Sequence, residues 1–230
     1  MLKHTFALNM KQIFIISALA VAFSACNNHQ ATAAGDAQTV ASDSLGTAFK
    51  ADLTSSVLNW SGTAVSHGHN GSIGIKDGQL TVKDGNIASG SFTIDMNTIV
   101  CLDEKDAKKN SDFVGHLNSP DFFDTKAFGE GKFEIVSVSA LVGDTAGNTH
   151  TITGNLTLKG QAKSISFPAK VAISAEEVTA SGNVIINRLD WGVNYKSLKG
   201  GASALDFAKW KDDAISDDMK IALVIKAIKG

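Results

Sequence analysis

Proline is scarce in this chain, with 2 in 230 residues, while arginine and tyrosine occur singly as Arg188 and Tyr195. Little proline beside 21 glycines excludes a polyproline or collagen-like chain and suits continuous sheet joined by tight turns. Cysteine is almost as rare: only Cys26 and Cys101 are present, too few for a disulfide scaffold. There is no excess of positive charge, and a net charge of -2 gives no electrostatic footprint for nucleic acid. No CxxC, HExxH, Gly-x-Ser-x-Gly or P-loop pattern occurs, and Gly129-Glu130-Gly131 lacks the third glycine of a dinucleotide loop. These absences point away from an enzyme and call for no cofactor. The apolar fraction, 43%, is enough for one well-filled core.

The longest apolar run, residues 13–25, follows Lys11 and ends in Ser24-Ala25-Cys26. It falls short of the roughly 20 residues that a spanning helix needs, so it reads as a secretory signal and not as a retained anchor. A cysteine after small residues at that point reads as a bacterial lipoprotein acceptor, although Phe23 stands where a leucine is usual. Residues 1–25 are accordingly expected to be a lipoprotein signal peptide, with Met10 a better start than Met1, and Cys26 the lipidation site. Residues 26–50 are polar, rich in Ala, Ser and Thr and aperiodic. They are expected to form a flexible tether spanning on the order of 25 Å. The folded domain is then 51–230, on the periplasmic side of the envelope and anchored to a membrane, the outer one by preference because Asn27 and Asn28 replace an inner-membrane retention aspartate.

Beyond the tether, apolar residues recur with a period of two between turn signals. Strands are expected over 57–65, 72–75, 79–83, 87–99, 133–142, 149–158, 164–173, 178–186 and 219–228, with hairpin turns at Lys76-Asp77-Gly78 and at Lys83-Asp84-Gly85-Asn86. Short helices are expected at 111–117, capped by Ser111, and at 202–210. The fold class is all-β: an antiparallel closed barrel of about eight strands, lipocalin-like, with one or two short helices. The last strand is apolar on both faces, and its outer face is suited to a homodimer.

Four blocks carry a resemblance. They are His116-Leu117-Asn118-Ser119-Pro120-Asp121-Phe122-Phe123-Asp124, then Ile152-Thr153-Gly154-Asn155-Leu156-Thr157-Leu158-Lys159-Gly160, then Ile185-Ile186-Asn187-Arg188-Leu189-Asp190-Trp191-Gly192-Val193-Asn194-Tyr195, and Ile215-Ser216-Asp217-Asp218-Met219-Lys220-Ile221. In type, order and separation this set resembles the YceI-like family of polyisoprenoid-binding, lipocalin-like periplasmic proteins. One departure is Phe128-Gly129-Glu130-Gly131, which replaces the family's proline before the next strand. The resemblance implies a barrel whose bore holds a long isoprenoid, a quinone-like or polyprenyl lipid, for sequestration, storage or local transfer. The expected lipid-binding residues are Phe92, Ile94, Met96, Phe122, Phe123, Phe133, Leu156, Leu158, Trp191 and Leu223. The alternative is a lipid-anchored structural or stress-response module with a filled core and no ligand.

The remaining polar features are read locally. Arg188 is expected to pair with Asp190 and to lie over Trp191. Tyr195 is expected to be buried with a backbone partner. No metal ligand is assigned: His67 and His69 share a strand face suited to chelation, with His116 or His150 as completing residues, but solvated imidazoles in a glycine-flanked turn are the simpler reading. Cys101 is expected to be a small buried hydrophobe, and residues 103–109, of mixed charge, a solvated loop.

Overall fold

The period-two alternation builds ten strands in a computed structural model that describes residues 31–42, 45–199 and 211–230. The signal run, Cys26 and the helix expected over 202–210 lie outside those residues. The strands are β1 (Gly35–Asp36), β2 (Thr47–Ala51), β3 (Val57–Thr63), β4 (Gly68–Lys83) and β5 (Asn86–Cys101). After helix α1 (Ala107–Leu117) come β6 (Glu130–Ala140), β7 (His150–Leu158), β8 (Gln161–Ile173), β9 (Glu177–Asn187) and β10 (Asp218–Lys229).

Consecutive strands from β4 to β10 pair antiparallel, and β2 and β3 close the ring. Both lie between β10 and β4, β3 against residues 220–224 and β2 against 227–229, so they run end to end as one interrupted stave. The result is a closed barrel of eight staves, in which every main stave finds a partner on each side and, among the described residues, no long edge is left to aggregate. No helix among the described residues is long and apolar enough to cross a membrane.

Three local expectations are corrected. Lys76-Asp77-Gly78 is not a turn: β4 runs through it, with register shifts between Ser72 and Gly74 and between Ile75 and Asp77. Gly78 is required there for packing, since a Cβ would sit 2.4 Å from the Phe92 ring. The hairpin turns only at Asp84 (φ 51°) and Gly85 (φ 76°), the positive pair of a type I′ turn. The helix starts at Ala107, because Asp106 and not Ser111 accepts the Lys109 amide, at 2.9 Å. Part of the expected charged loop is therefore helix, with Lys108 and Asp112 paired one turn apart.

The third correction concerns the tether. Its described part does not hang free. Pro168 lies within β8, and its carbonyl faces Gly182 of β9. Lacking an N–H on that side, it ends the β8–β9 ladder, which pairs only 169–173 with 178–182. Residues 32–36 fill the gap: Gly35 and Asp36 pair with Ser164 and Lys163, and the Thr32 amide donates to the Ile185 carbonyl at 2.6 Å. The chain then crosses β7, where the Gln38 backbone exchanges two hydrogen bonds with the buried Asn155 side chain, and the Ala41 amide donates to the Ile135 carbonyl. The sheet itself resumes at Thr47, with Phe49 2% exposed, so the barrel takes in residues before Ala51.

Candidate functional site

Alternation around a closed ring sends one face of every stave inward, and here that face is almost wholly apolar. The inner side chains leave a cavity of about 230 Å³. At one end its lining consists of buried residues, including Leu80, Ile87 and Val178. At the other it reaches exposed positions of the turn between β3 and β4, Thr63, His67 and Gly68, and Phe113 of α1. The mouth therefore opens between that turn and the helix. Ser61, Thr63, His67, His69, Arg188 and Ser216 are the polar residues of the lining.

Nine of the ten expected lipid-binding side chains lie along this cavity. Phe92, Ile94 and Met96 enter from β5, Phe133 from β6, Leu156 and Leu158 from β7, and Leu223 from β10. Phe133 can lie flat against β7 because Gly154 offers no Cβ, which would fall 2.3 Å from the ring. Phe122 and Phe123 both line the cavity. Adjacent strand residues would diverge, but here the chain turns back through Asp124 (φ 47°), and the Phe123 amide donates to the Leu117 carbonyl.

Trp191 is the exception. It is completely buried and does not line the cavity; its Nε1 donates to the Leu156 carbonyl at 3.0 Å, which fixes the wall from behind. Arg188 pairs with Asp217, at 3.5 Å, and not with Asp190. Its guanidinium donates to the carbonyls of Val193, Ser216 and Ile215 at 2.5, 2.9 and 3.1 Å. Burial pulls its pKa down from the usual arginine value and the Asp217 carboxylate opposes that. Tyr195 is half-buried, with its ring against His116 and Phe122.

A second constellation stands at the mouth. His69 Nδ1 lies 3.2 Å from Asp103 Oδ2, the Cys101 thiol donates to Asp103 Oδ1 at 3.2 Å, and Cys101 Sγ is 4.0 Å from His69 Nδ1. The β4–β5 register explains the meeting. Gly71 pairs with Cys101 and the Leu102 amide donates to the Asn70 carbonyl, so the next step places Asp103 across from His69. The Asn70 amide bonded to Asp103 holds that carboxyl down at about 2, while burial pushes the Cys101 thiol up. Neither His116, which bonds Asp121, nor His150 of β7 belongs to this group. Reading Cys101 as inert and Asp103 as a loop charge hid it. The signal that could have found it is the shared parity of 69, 71, 101 and 103 across one hairpin.

The model of the YceI-like domain matches residues 49–227. Among solved structures the chain is similar to BcnA of Burkholderia cenocepacia, with a TM-score of 0.58 and 22% identity over 76% of this chain and 98% of that one. It is also similar to a polyisoprenoid binding domain from Saccharophagus degradans implicated in plant cell wall breakdown, with a TM-score of 0.52 and 15% identity over 84% of this chain and all of the other, 100%. At these identities the likeness is one of fold. No curated protein matches the chain.

Proposed function

The chain belongs to the YceI-like domain family, and from that membership and the cavity we propose that it binds a long isoprenoid lipid, tail inward, in the barrel. The observation that carries this reading is the cavity's composition and length. Along the single strand β4 the lining runs from Leu80 through Ile75 and Ile73 to His69 and Gly68 at the mouth. That is roughly 40 Å of contour, or about 30 Å along a tilted barrel. A hydrocarbon tail offers the wall little beyond burial, worth about 0.8 kcal/mol per methylene, and this wall is made to accept it. The similarly folded Saccharophagus degradans domain is a polyisoprenoid binding domain, which supports the same ligand class here.

The polar end of the lipid, quinone-like or polyprenyl, lies at the mouth. Trp60 lines the cavity there, and its Nε1 is buried with no acceptor among the described residues. Acylation of Cys26 anchors the protein to the periplasmic face of an envelope membrane, the outer one by preference, where it stores or locally transfers its lipid without catalysing a reaction. Organic extraction of protein purified from its host is expected to release a prenyl lipid. Leu156→Arg, which places a charge against the tail, is expected to abolish its retention while circular dichroism stays that of the barrel. Protein that is repeatedly lipid-free, and that takes up no polyprenyl or quinone lipid from detergent, would instead describe a structural module.

A further inference from the structure

The three groups that meet at the mouth are an imidazole, a thiol and a carboxylate, and one donor atom from each lies within 4.8 Å of the others. A tetrahedral zinc ion bound at about 2.1 Å to nitrogen or oxygen and about 2.3 Å to sulfur separates its ligand atoms by roughly 3.3–3.6 Å. Here His69 Nδ1 and Cys101 Sγ are 4.0 Å apart and each lies 3.2 Å from a different oxygen of Asp103, so with one oxygen as donor the set spans up to 4.8 Å and side-chain rotations of about an ångström draw it in.

The supports are built in as well. Asp103 is aimed by the Asn70 amide at 3.0 Å, and the Cys101 carbonyl accepts from Asn110 Nδ2 at 2.9 Å. The His69 ring is packed 4.3 Å from Phe113, which orients Nδ1 toward the carboxylate. Such outer contacts hold metal ligands in place. Cys101 is 6% exposed while His69 and Asp103 stay partly open, so an ion can enter yet meet a largely shielded sulfur.

We propose that His69, Cys101 and Asp103 form a binding site for a zinc-like divalent cation at the barrel mouth. The mixture of one thiolate, one imidazole and one carboxylate suits zinc and disfavours calcium or magnesium, which take oxygen donors. Three protein ligands leave a fourth position. His67 stands outside the group of three, its ring 5.4 Å from that of His69 and its Nδ1 engaged by Ser66. Both histidines line the cavity, so this position looks toward the place where a bound head group would emerge. The site does not depend on the lipid reading.

The test uses the full chain, purified without a histidine tag, with Zn2+ measured by calorimetry and Co2+ by absorption. One Zn2+ per chain and the visible bands of tetrahedral, thiolate-bound Co2+ are expected. Cys101→Ser is expected to remove the thiolate charge-transfer band. Each of His69→Gln and Cys101→Ser is expected to weaken Zn2+ binding by more than roughly 100-fold, beyond what changes outside the ligand shell cause. His150→Gln is expected to leave both readouts unchanged. If a variant fails to fold, the wild-type readout still decides, through protection of Cys101 from a thiol reagent by Zn2+. Wild-type protein without tetrahedral Co2+ bands, or with Cys101 equally reactive with and without Zn2+, would overturn the proposal and leave a hydrogen-bonded triad only.

Discussion

At the scale of single residues, the barrel depends on a few side chains that replace missing backbone partners. Arg188 is 1% exposed, and the turn that follows β9 and the chain entering β10 both end on it through the carbonyls of Val193, Ser216 and Ile215. An arginine is needed because its planar fork reaches several acceptors at once, which a lysine's single ammonium does not. Arg188→Met keeps the volume but leaves three carbonyls and the Asp217 carboxylate without that partner. The expected loss is about 3–5 kcal/mol of stability, measured by urea denaturation. A midpoint close to wild type would show that water or neighbouring groups satisfy those carbonyls. Gly71 belongs to the same class of constraint. A Cβ there would fall 1.8 Å from the Val100 carbonyl and 2.5 Å from the Trp60 ring, so the indole that lines the mouth can lie where it does only over a glycine.

At the scale of elements, the informative piece is the segment from Thr32 to Ala41. It acts as a strap over the place where Pro168 stops the β8–β9 ladder. Asn155 is 5% exposed, and its side chain supplies the donor and acceptor that the Gln38 backbone needs. Asn155→Ala strands that backbone pair and is expected to cost about 1–3 kcal/mol. Hydrogen exchange should then quicken at Gln38 and Ala41 while the β10 amides stay protected, and unchanged exchange at Gln38 would show that the strap is held elsewhere. None of this was legible in the sequence, because residues 31–42 carry no period and, apart from Val40, no apolar side chain larger than alanine; their order comes from hydrogen bonds to a gap in another pair's ladder. The strands were legible for the opposite reason. Phe92, Ile94 and Met96 alternate with polar neighbours, and a period of two has one structural solution. The reading failed where a glycine served packing instead of a turn, at Gly78, and where a buried tryptophan looked like lining, at Trp191.

At the scale of the whole molecule, the strap decides how an anchored barrel would face its membrane. Thr32 docks on Ile185, which lies level with Lys220 and, through it, with Ser61 and Asn70, close to the mouth. Only residues 27–31 separate that docking point from Cys26, a reach of roughly 20 Å at full extension. The barrel is roughly 30 Å long, so a lipid on Cys26 would hold the mouth near the bilayer and the turn at Asp84 and Gly85 away from it. A tether of 26–50 acting as a free coil would impose no such preference. The two arrangements separate by fluorescence quenching in vesicles that carry a spin-labelled lipid. The acylated protein would be labelled at Ser66→Cys beside the mouth or at Asp84→Cys at the far turn. Ser66 is expected to be quenched strongly and Asp84 weakly. A flexible spacer placed between Asn28 and His29 should bring the two labels together. Equal quenching without the spacer would mean that the strap does not orient the barrel, and that lipid exchange, if the mouth performs it, proceeds without a fixed approach to the membrane.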